Sequence, residues 1–414
     1  MSEHCTAYGN PRTMSVQHRV SNKGSGGHRT WCSDEVVLAN LNKLIPAIVL
    51  GVVGNSVIYL IPLLLGAMVS DRGFGEEGAG FIASVELAGY ALSTFASALI
   101  LDRVRWRPIV LGAVCVMIAA NLGTTLVHGR ELFTLVRFAS GLGAGVLAAI
   151  ANISVGQTDN PDRNYGLLLA ASLLFGSMGL WGLPPLLSRF GLNGAYWLLG
   201  ILAVLAGVTS RALEYRAAPR ETGAAIGGSM RWLLVGGVLT GILLFWTEQN
   251  AVYAYMERIG NRAGLSAEFI GFGLGAANLT GFAGAALVAL MGSRAGRVIP
   301  IAGSTLIQLA CLATLGSRLG AVNYLLSITL IALAWNIANP FQLGILSSVD
   351  RNGKALALAA TVTGAGLAAG PAAAAVMIRV AGYEGILWLA GVLAVVSLIL
   401  VLPASRAARG FVVS

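Results

Sequence analysis

Three ionisable side chains stand inside long apolar stretches of this 414-residue chain: Glu86, Arg137 and Glu248. A charge in hydrocarbon costs at least ~2.5–3.5 kcal/mol on insertion scales, so each needs a partner, a water-filled cavity or a task. The chemistry open to such a trio is proton exchange by a carboxylate, or pairing of a carboxylate with the guanidinium. A carboxylate that exchanges protons must bind and release them near the working pH, a property that burial tunes. Glu248 is the first choice for that role. It lies in the stretch LLFWTEQNAVYAYMERIG (Leu243–Gly260), where Thr247, Glu248, Gln249 and Asn250 interrupt apolar sequence. Glu86 and Arg137 complete the candidate proton-coupling set, although an ion pair between those two would be structural. Counting ~1.5 Å per residue from the flanking loops puts Glu86 and Glu248 ~15 Å deep and Arg137 ~9 Å deep.

A second set of side chains could hold a solute. Trp246, Asn250, Tyr253 and Glu257 follow i, i+4, i+7, i+11, which is one helical face. Trp335, Asn339 and Gln342 follow i, i+4, i+7, with Pro340 between them to kink the helix, and Asn55 and Tyr59 follow i, i+4. Aromatic rings with amides suit a small organic solute with an apolar body and a few polar groups. Metal and redox chemistry find no footing. Cys5, Cys32, Cys115 and Cys311 form no CxxC, and none of His4, His18, His28 and His128 lies deep in an apolar run. No cofactor and no disulfide framework are expected.

The elements that must position these residues are membrane helices. Hydrophobic residues make up 56% of the chain and charged residues 11%, against about 25% charged in a soluble domain. The mean hydropathy is +0.76, so lipid must be the solvent for much of the surface. Twelve apolar runs are read: Leu44–Val69, Ala79–Leu101, Ile109–Val127, Leu132–Val155, Tyr165–Leu187, Gly194–Thr209, Leu233–Met256, Phe269–Met291, Val298–Leu315, Val322–Val349, Ala355–Val380 and Gly385–Leu402. The expected fold is all-α, twelve transmembrane helices in two six-helix bundles. Residues 39–210 and 231–405 are the bundles, 211–230 a cytoplasmic central loop, 1–38 a disordered cytoplasmic tail and 406–414 a second tail. Residues 1–38 lack the charged start and apolar core of a signal peptide, and Met14 is a candidate start.

The net charge of +9 does not indicate nucleic acid, because the basic residues sit in short loops rather than on one face. They set topology instead. With the N-terminus inside, 19 Lys and Arg fall in inner segments and 7 in outer ones, which favours both termini in the cytoplasm. The halves also repeat. Asp102 and Ser293 are 191 positions apart, as are Leu41 and Trp232, and the loops LDRVRWRP and GSRAGRVIP fall at matching places. Paired halves are how many secondary transporters are built. Glycine numbers 54, and runs such as SGLGAG (Ser140–Gly145) and GAGLAAG (Gly364–Gly370) read as faces for close helix packing.

These features resemble the major facilitator superfamily over nearly everything after residue 40. That family's loop after helix two resembles G-x-x-x-D-R-x-G-R-R/K. Here Asp102, Arg103 and Arg107 match, while Ala98 and Arg105 replace its glycines; the second copy keeps Arg294, Gly296 and Arg297 but has Ser293 for the acid. The helix-four pattern R-x-x-Q-G-x-G-A is met by Arg137, Gly141, Gly143 and Ala144, with Ser140 in place of the glutamine. The resemblance implies a gating role for Asp102, Arg103, Arg107, Arg294 and Arg297, with Asp102 helping to hold the cytoplasmic side shut. It also places helices one, four, seven and ten around the central cavity. The G-P step of drug/proton antiporters is absent from GSMGLWGLPP (Gly176–Pro185), although its glycines are present.

The expected function is a proton-coupled secondary transporter of a small organic solute in a bacterial inner membrane, working by alternating access as a monomer and favouring efflux. An uptake symporter for a small organic acid, aromatic or not, is the alternative, and a non-transporting membrane sensor or binding protein is the alternative of another class. GSGG (Gly24–Gly27) lacks the Lys-Ser/Thr of a phosphate loop, so no ATP-driven step is expected. Partners are the solute, protons and the lipid bilayer, not nucleic acid. An enzyme is not expected, because His, Asp or Cys ligands do not cluster.

Overall fold

The computed structural model describes residues 28–101, 104–158, 160–212, 232–291, 296–317, 319–349 and 354–409. It consists of ten α-helices: α1 (His28–Arg72), α2 (Gly75–Ile100), α3 (Trp106–Leu126), α4 (Arg130–Gly156), α5 (Pro161–Thr209), α6 (Trp232–Arg262), α7 (Ala267–Met291), α8 (Val298–Leu315), α9 (Ala321–Val349) and α10 (Lys354–Arg409). All ten are long and apolar enough to cross a membrane. Helix is what this sequence must form there, because hydrocarbon offers no other partner to a backbone N–H or C=O. The helix α1 starts at His28, ten residues earlier than the end of the tail expected from composition. Two expected boundaries, the central loop and the last tail residues, lie largely outside the described residues.

The twelve apolar runs fall on ten helices because α5 and α10 each carry two. With 49 and 56 residues, each is far longer than the ~20 residues one crossing needs. Each breaks once, at Gly191 (φ 58°, ψ −163°) and Gly382 (φ 66°, ψ −160°), a backbone region open essentially to glycine alone. Past Gly191 the chain runs back along α3, where Gly200 lies against Asn121 and Gly207 against Val114. Past Gly382 it runs back along α8, with Gly391 against Leu309. Asp71 of α1 caps the first reversal, its Oδ2 accepting from the Leu192 amide at 2.8 Å.

Gly191 and Gly382 are 191 residues apart, and so are the positive-φ glycines Gly73 and Gly264 that end α1 and α6. The offset seen in the loops is therefore also the offset of four of the six positive-φ glycines. An added Cβ at Gly382 meets no atom within 4 Å, so this site isolates the backbone cost. Gly382→Ala is expected to lower stability by ~1–3 kcal/mol without touching any packing, read as a lower thermal midpoint of the detergent-solubilised chain. An unchanged midpoint would show that the break tolerates a side chain.

The core has four parts, the smallest being Leu44, Ala47, Val155 and Leu168 within the N-terminal half. One large buried cluster lies toward the end where α1 passes into α2. It draws on both halves, including Leu64, Leu87 and Leu183 with Met256, Leu274 and Leu367. At the opposite end, where α2 passes into α3, the halves have separate cores. One holds Leu50, Trp106, Met117 and Leu147; the other holds Val238, Ile301, Ile345 and Val401. Small residues permit the tight contacts within each half. Ideal Cβ atoms at Gly366 and Gly370 of α10 would stand 2.8 Å from Leu243 O and 2.7 Å from Ala251 N of α6. Large apolar side chains on the outside, such as Leu233, Leu290 and Trp388, suit contact with lipid.

Candidate functional site

Mid-way along the helices, between the halves, lies a cavity of about 60 Å³. Its walls come from α1, α5, α6, α7 and α9. Four of the expected solute residues line it: Tyr59, Asn250, Tyr253 and Trp335. Tyr253 also joins the halves, its hydroxyl donating to Tyr59 O at 2.6 Å. Glu257, on the same face of α6, lies further toward the α1–α2 end. There it packs on Gly66 of α1 with Oε2 lacking a partner.

The other four expected solute residues stand outside the lining. Trp246 and Asn339 form a layer behind it. The Trp246 indole donates to Asn339 Oδ1 at 3.3 Å and meets the Trp335 ring edge-on at 5.2 Å. Asn55 accepts from Tyr90 at 2.7 Å within the N-terminal half. Gln342 is buried with Oε1 unpartnered. The cavity in turn holds three amides that sequence reasoning did not choose: Gln249, Asn278 and Asn336. Each is a polar residue in mid-span, which was a readable signal. It went unused for Asn278 because α7 was not among the helices expected at the cavity.

Glu248 is 2% exposed and does not line the cavity. At ~100° per residue it sits about 160° round α6 from Asn250. Its carboxylate instead accepts from Gln249 Nε2 at 2.7 Å. Gln249 therefore has its side chain on the cavity and on the buried acid together.

Glu86 and Arg137 are an ion pair, Nη1 to Oε1 at 3.2 Å, with side chains 4% and 0% exposed. Arg137 also donates to Asn121 Oδ1 at 3.1 Å, and its guanidinium lies 4.2 Å from the centre of the Tyr196 ring. These partners come from α2, α3, α4 and α5, all in the N-terminal half. Gly141, one turn after Arg137, brings α4 against the Glu86 carbonyl so closely that a Cβ there would overlap it. The pair is thus made by the glycine face of α4.

The α1–α2 end is laced across the halves. Glu76 and Glu77 open α2, where a helix N-terminus favours acids. Glu76 pairs with Arg258 at 3.1 Å, and its carbonyl accepts from Tyr255 at 2.8 Å. Glu77 pairs with the more exposed Arg379 at 3.4 Å. Ser84 donates to Ala368 O at 2.6 Å, and Ala91 lies against Gly364. Among the described residues, no hydrogen bond or ion pair joins the halves in the last ten residues or so toward the α2–α3 end.

The family model for the Major Facilitator Superfamily matches residues 47–349. The chain belongs to this superfamily. It is a multi-pass membrane protein and a secondary transporter of small solutes, not an enzyme. No curated protein matches the chain. The match runs from the first span through α9, so it takes in every wall of the cavity. Of the superfamily's loop positions, Asp102, Arg103 and Arg294 lie outside the described residues. Arg107 donates to Arg211 O at 3.5 Å, which ties the start of α3 to the residues just past α5. Arg297 lies against Gly344 of α9. Arg137, matched by the superfamily's helix-four pattern, is the guanidinium of the buried pair.

Proposed function

We propose that this chain is a proton-coupled transporter that moves a small organic solute by alternating access, in the export direction. The observation that carries the reading is the way the core is divided. One apolar cluster joins the halves at the α1–α2 end, and separate clusters serve each half at the other. Halves that share one apolar core at one end and have separate cores at the other, with a cavity between, describe one limiting state of a rocking pair. The excess of basic loops supports a cytoplasmic position for the end with separate cores, which makes this state inward-facing, the state in which an exporter loads its solute. The cavity is complete within one chain, which supports a working monomer.

Protons enter the reading through Glu248. Its hydrogen bond from Gln249, a cavity residue, provides a route by which occupancy and protonation can influence one another. The reading is tested in proteoliposomes by a solute-driven pH change inside the vesicle, screened over a small chemical panel. Solute flux with no proton movement would remove the coupling and leave a uniporter.

Orientation has its own test. A reporter active only in the cytoplasm is expected to work at the N-terminus, near Arg220 and after Arg409. Activity confined to the opposite side would invert the assignment, and the state would then be outward-facing.

A further inference from the structure

The cavity carries more information than its position. No Asp, Glu, Lys, Arg or His lines it. Its polar equipment is two phenols, four amides and one indole. Most of their donors are already engaged: Tyr253 with Tyr59 O, Gln249 with Glu248, Asn250 with Trp246 O and Asn336 with Ala332 O. Two are not. Asn278 Nδ2 and Trp335 Nε1 are buried and have no acceptor. Asn278 is 8% exposed, and its Nδ2 lies 2.8 Å from where a Cβ on Gly176 would stand, beside Tyr59. The missing side chain of Gly176 leaves that amide its room.

A buried donor without an acceptor costs ~1–3 kcal/mol, a cost that a bound acceptor removes. An ion brought to the same place would lose its hydration and find no counter-charge, a much larger cost. We propose that this cavity takes an uncharged solute with an apolar body, held through a carbonyl-type acceptor by Asn278 Nδ2 and Trp335 Nε1. Carboxylates and ammonium ions are excluded, which sets aside uptake of an organic acid in its ionised form. The proposal rests on the reading of the cavity as the transport site. At about 60 Å³ the space is smaller than the ~150 Å³ that holds a benzene ring. Solute therefore reaches the two donors as the end with separate cores widens.

The test uses matched probes of two sizes on the purified full-length chain in detergent: propanamide, propanoate and propylammonium, then benzamide, benzoate and benzylammonium. Binding is measured by calorimetry. The amides are expected to bind at least about tenfold more tightly than either ion of the same size. Asn278→Leu and Trp335→Phe are each expected to weaken amide binding about tenfold. Asn278→Asp keeps the shape, adds a charge and should turn the preference toward benzylammonium. That gain distinguishes a lost contact from a damaged fold, since a misfolded variant gains nothing. Three results would overturn the proposal: ions binding as well as amides, no amide binding at either size, or amide binding indifferent to all three substitutions. The last would assign the two donors to water. Transport separates this from the broader reading. An ion carried through proteoliposomes removes the substrate class and keeps the transporter; an amide that binds and is never carried keeps the site and removes its transport role.

Discussion

Glu248→Gln is expected to lose proton-driven accumulation of solute while exchange of solute down its own gradient continues. The carboxylate is buried mid-way along α6 and is bonded by Gln249. Glutamine keeps its volume and can still accept from that neighbour, so the substitution removes little besides the titratable proton. Coupling requires that proton affinity differ between the two states of the transporter. A side chain that cannot titrate supplies no such difference, so accumulation against a gradient should fall to the level of vesicles without protein. Counterflow of solute, which needs only the moving halves, should keep the same order of magnitude. Glu86→Gln is the control. Its partner lies within the N-terminal half, so it should reduce thermal stability or turnover rather than coupling. Full pH-gradient-driven accumulation in Glu248→Gln would end the assignment. The next carboxylate would then be Glu257, which lies on Gly66 where the halves are laced.

Arg137→Met is expected to be the most destabilising single change in the N-terminal half, at ~3–5 kcal/mol. The magnitude comes from what is left behind. Glu86 is 3% exposed, and without Arg137 it is an uncompensated buried charge in a membrane interior. Asn121 loses its donor too. The double variant Arg137→Met/Glu86→Leu removes the charge as well and should recover most of the loss, because replacing both partners of a buried pair by apolar residues is often nearly neutral. Thermal midpoints of wild type, the two single variants and the double variant close the cycle. If the double variant is no better than Arg137→Met alone, the arginine acts through Tyr196 and Asn121 rather than through Glu86.

The face Trp246, Asn250, Tyr253, Glu257 was legible because a helix repeats every 3.6 residues. It does turn toward the N-terminal half, with Asn250 and Tyr253 at the cavity and Glu257 on α1. The same periodicity already puts Glu248 on the far side of α6, although its neighbours in sequence suggested a shared cluster. Asn55 and Gln342 looked equally suited to a solute, and their spacing was sound. Yet α1 turns Asn55 toward Tyr90, a matter of how α1 meets α2 that no single-helix pattern encodes. Glu76 and Glu77 stand just before the apolar run Ala79–Leu101, and only the approach of α6 and α10 makes them ties between the halves.

What the sequence determined by itself was every term that is local or additive along the chain. Apolar length requires membrane helices, loop charge favours an orientation, and a 191-residue offset marks two like halves. These follow from transfer of residues into lipid and from backbone hydrogen bonding, which act on each segment separately. What the tertiary structure decided was pairing. Glu86 is matched to Arg137, Gln249 joins the cavity to Glu248, and the donors of Trp335 and of Asn278, the latter beside Gly176, are left open. Inside lipid, apolar packing against tails and against other helices costs nearly the same, so close fit and polar satisfaction choose the partners. Those depend on which surfaces meet in three dimensions.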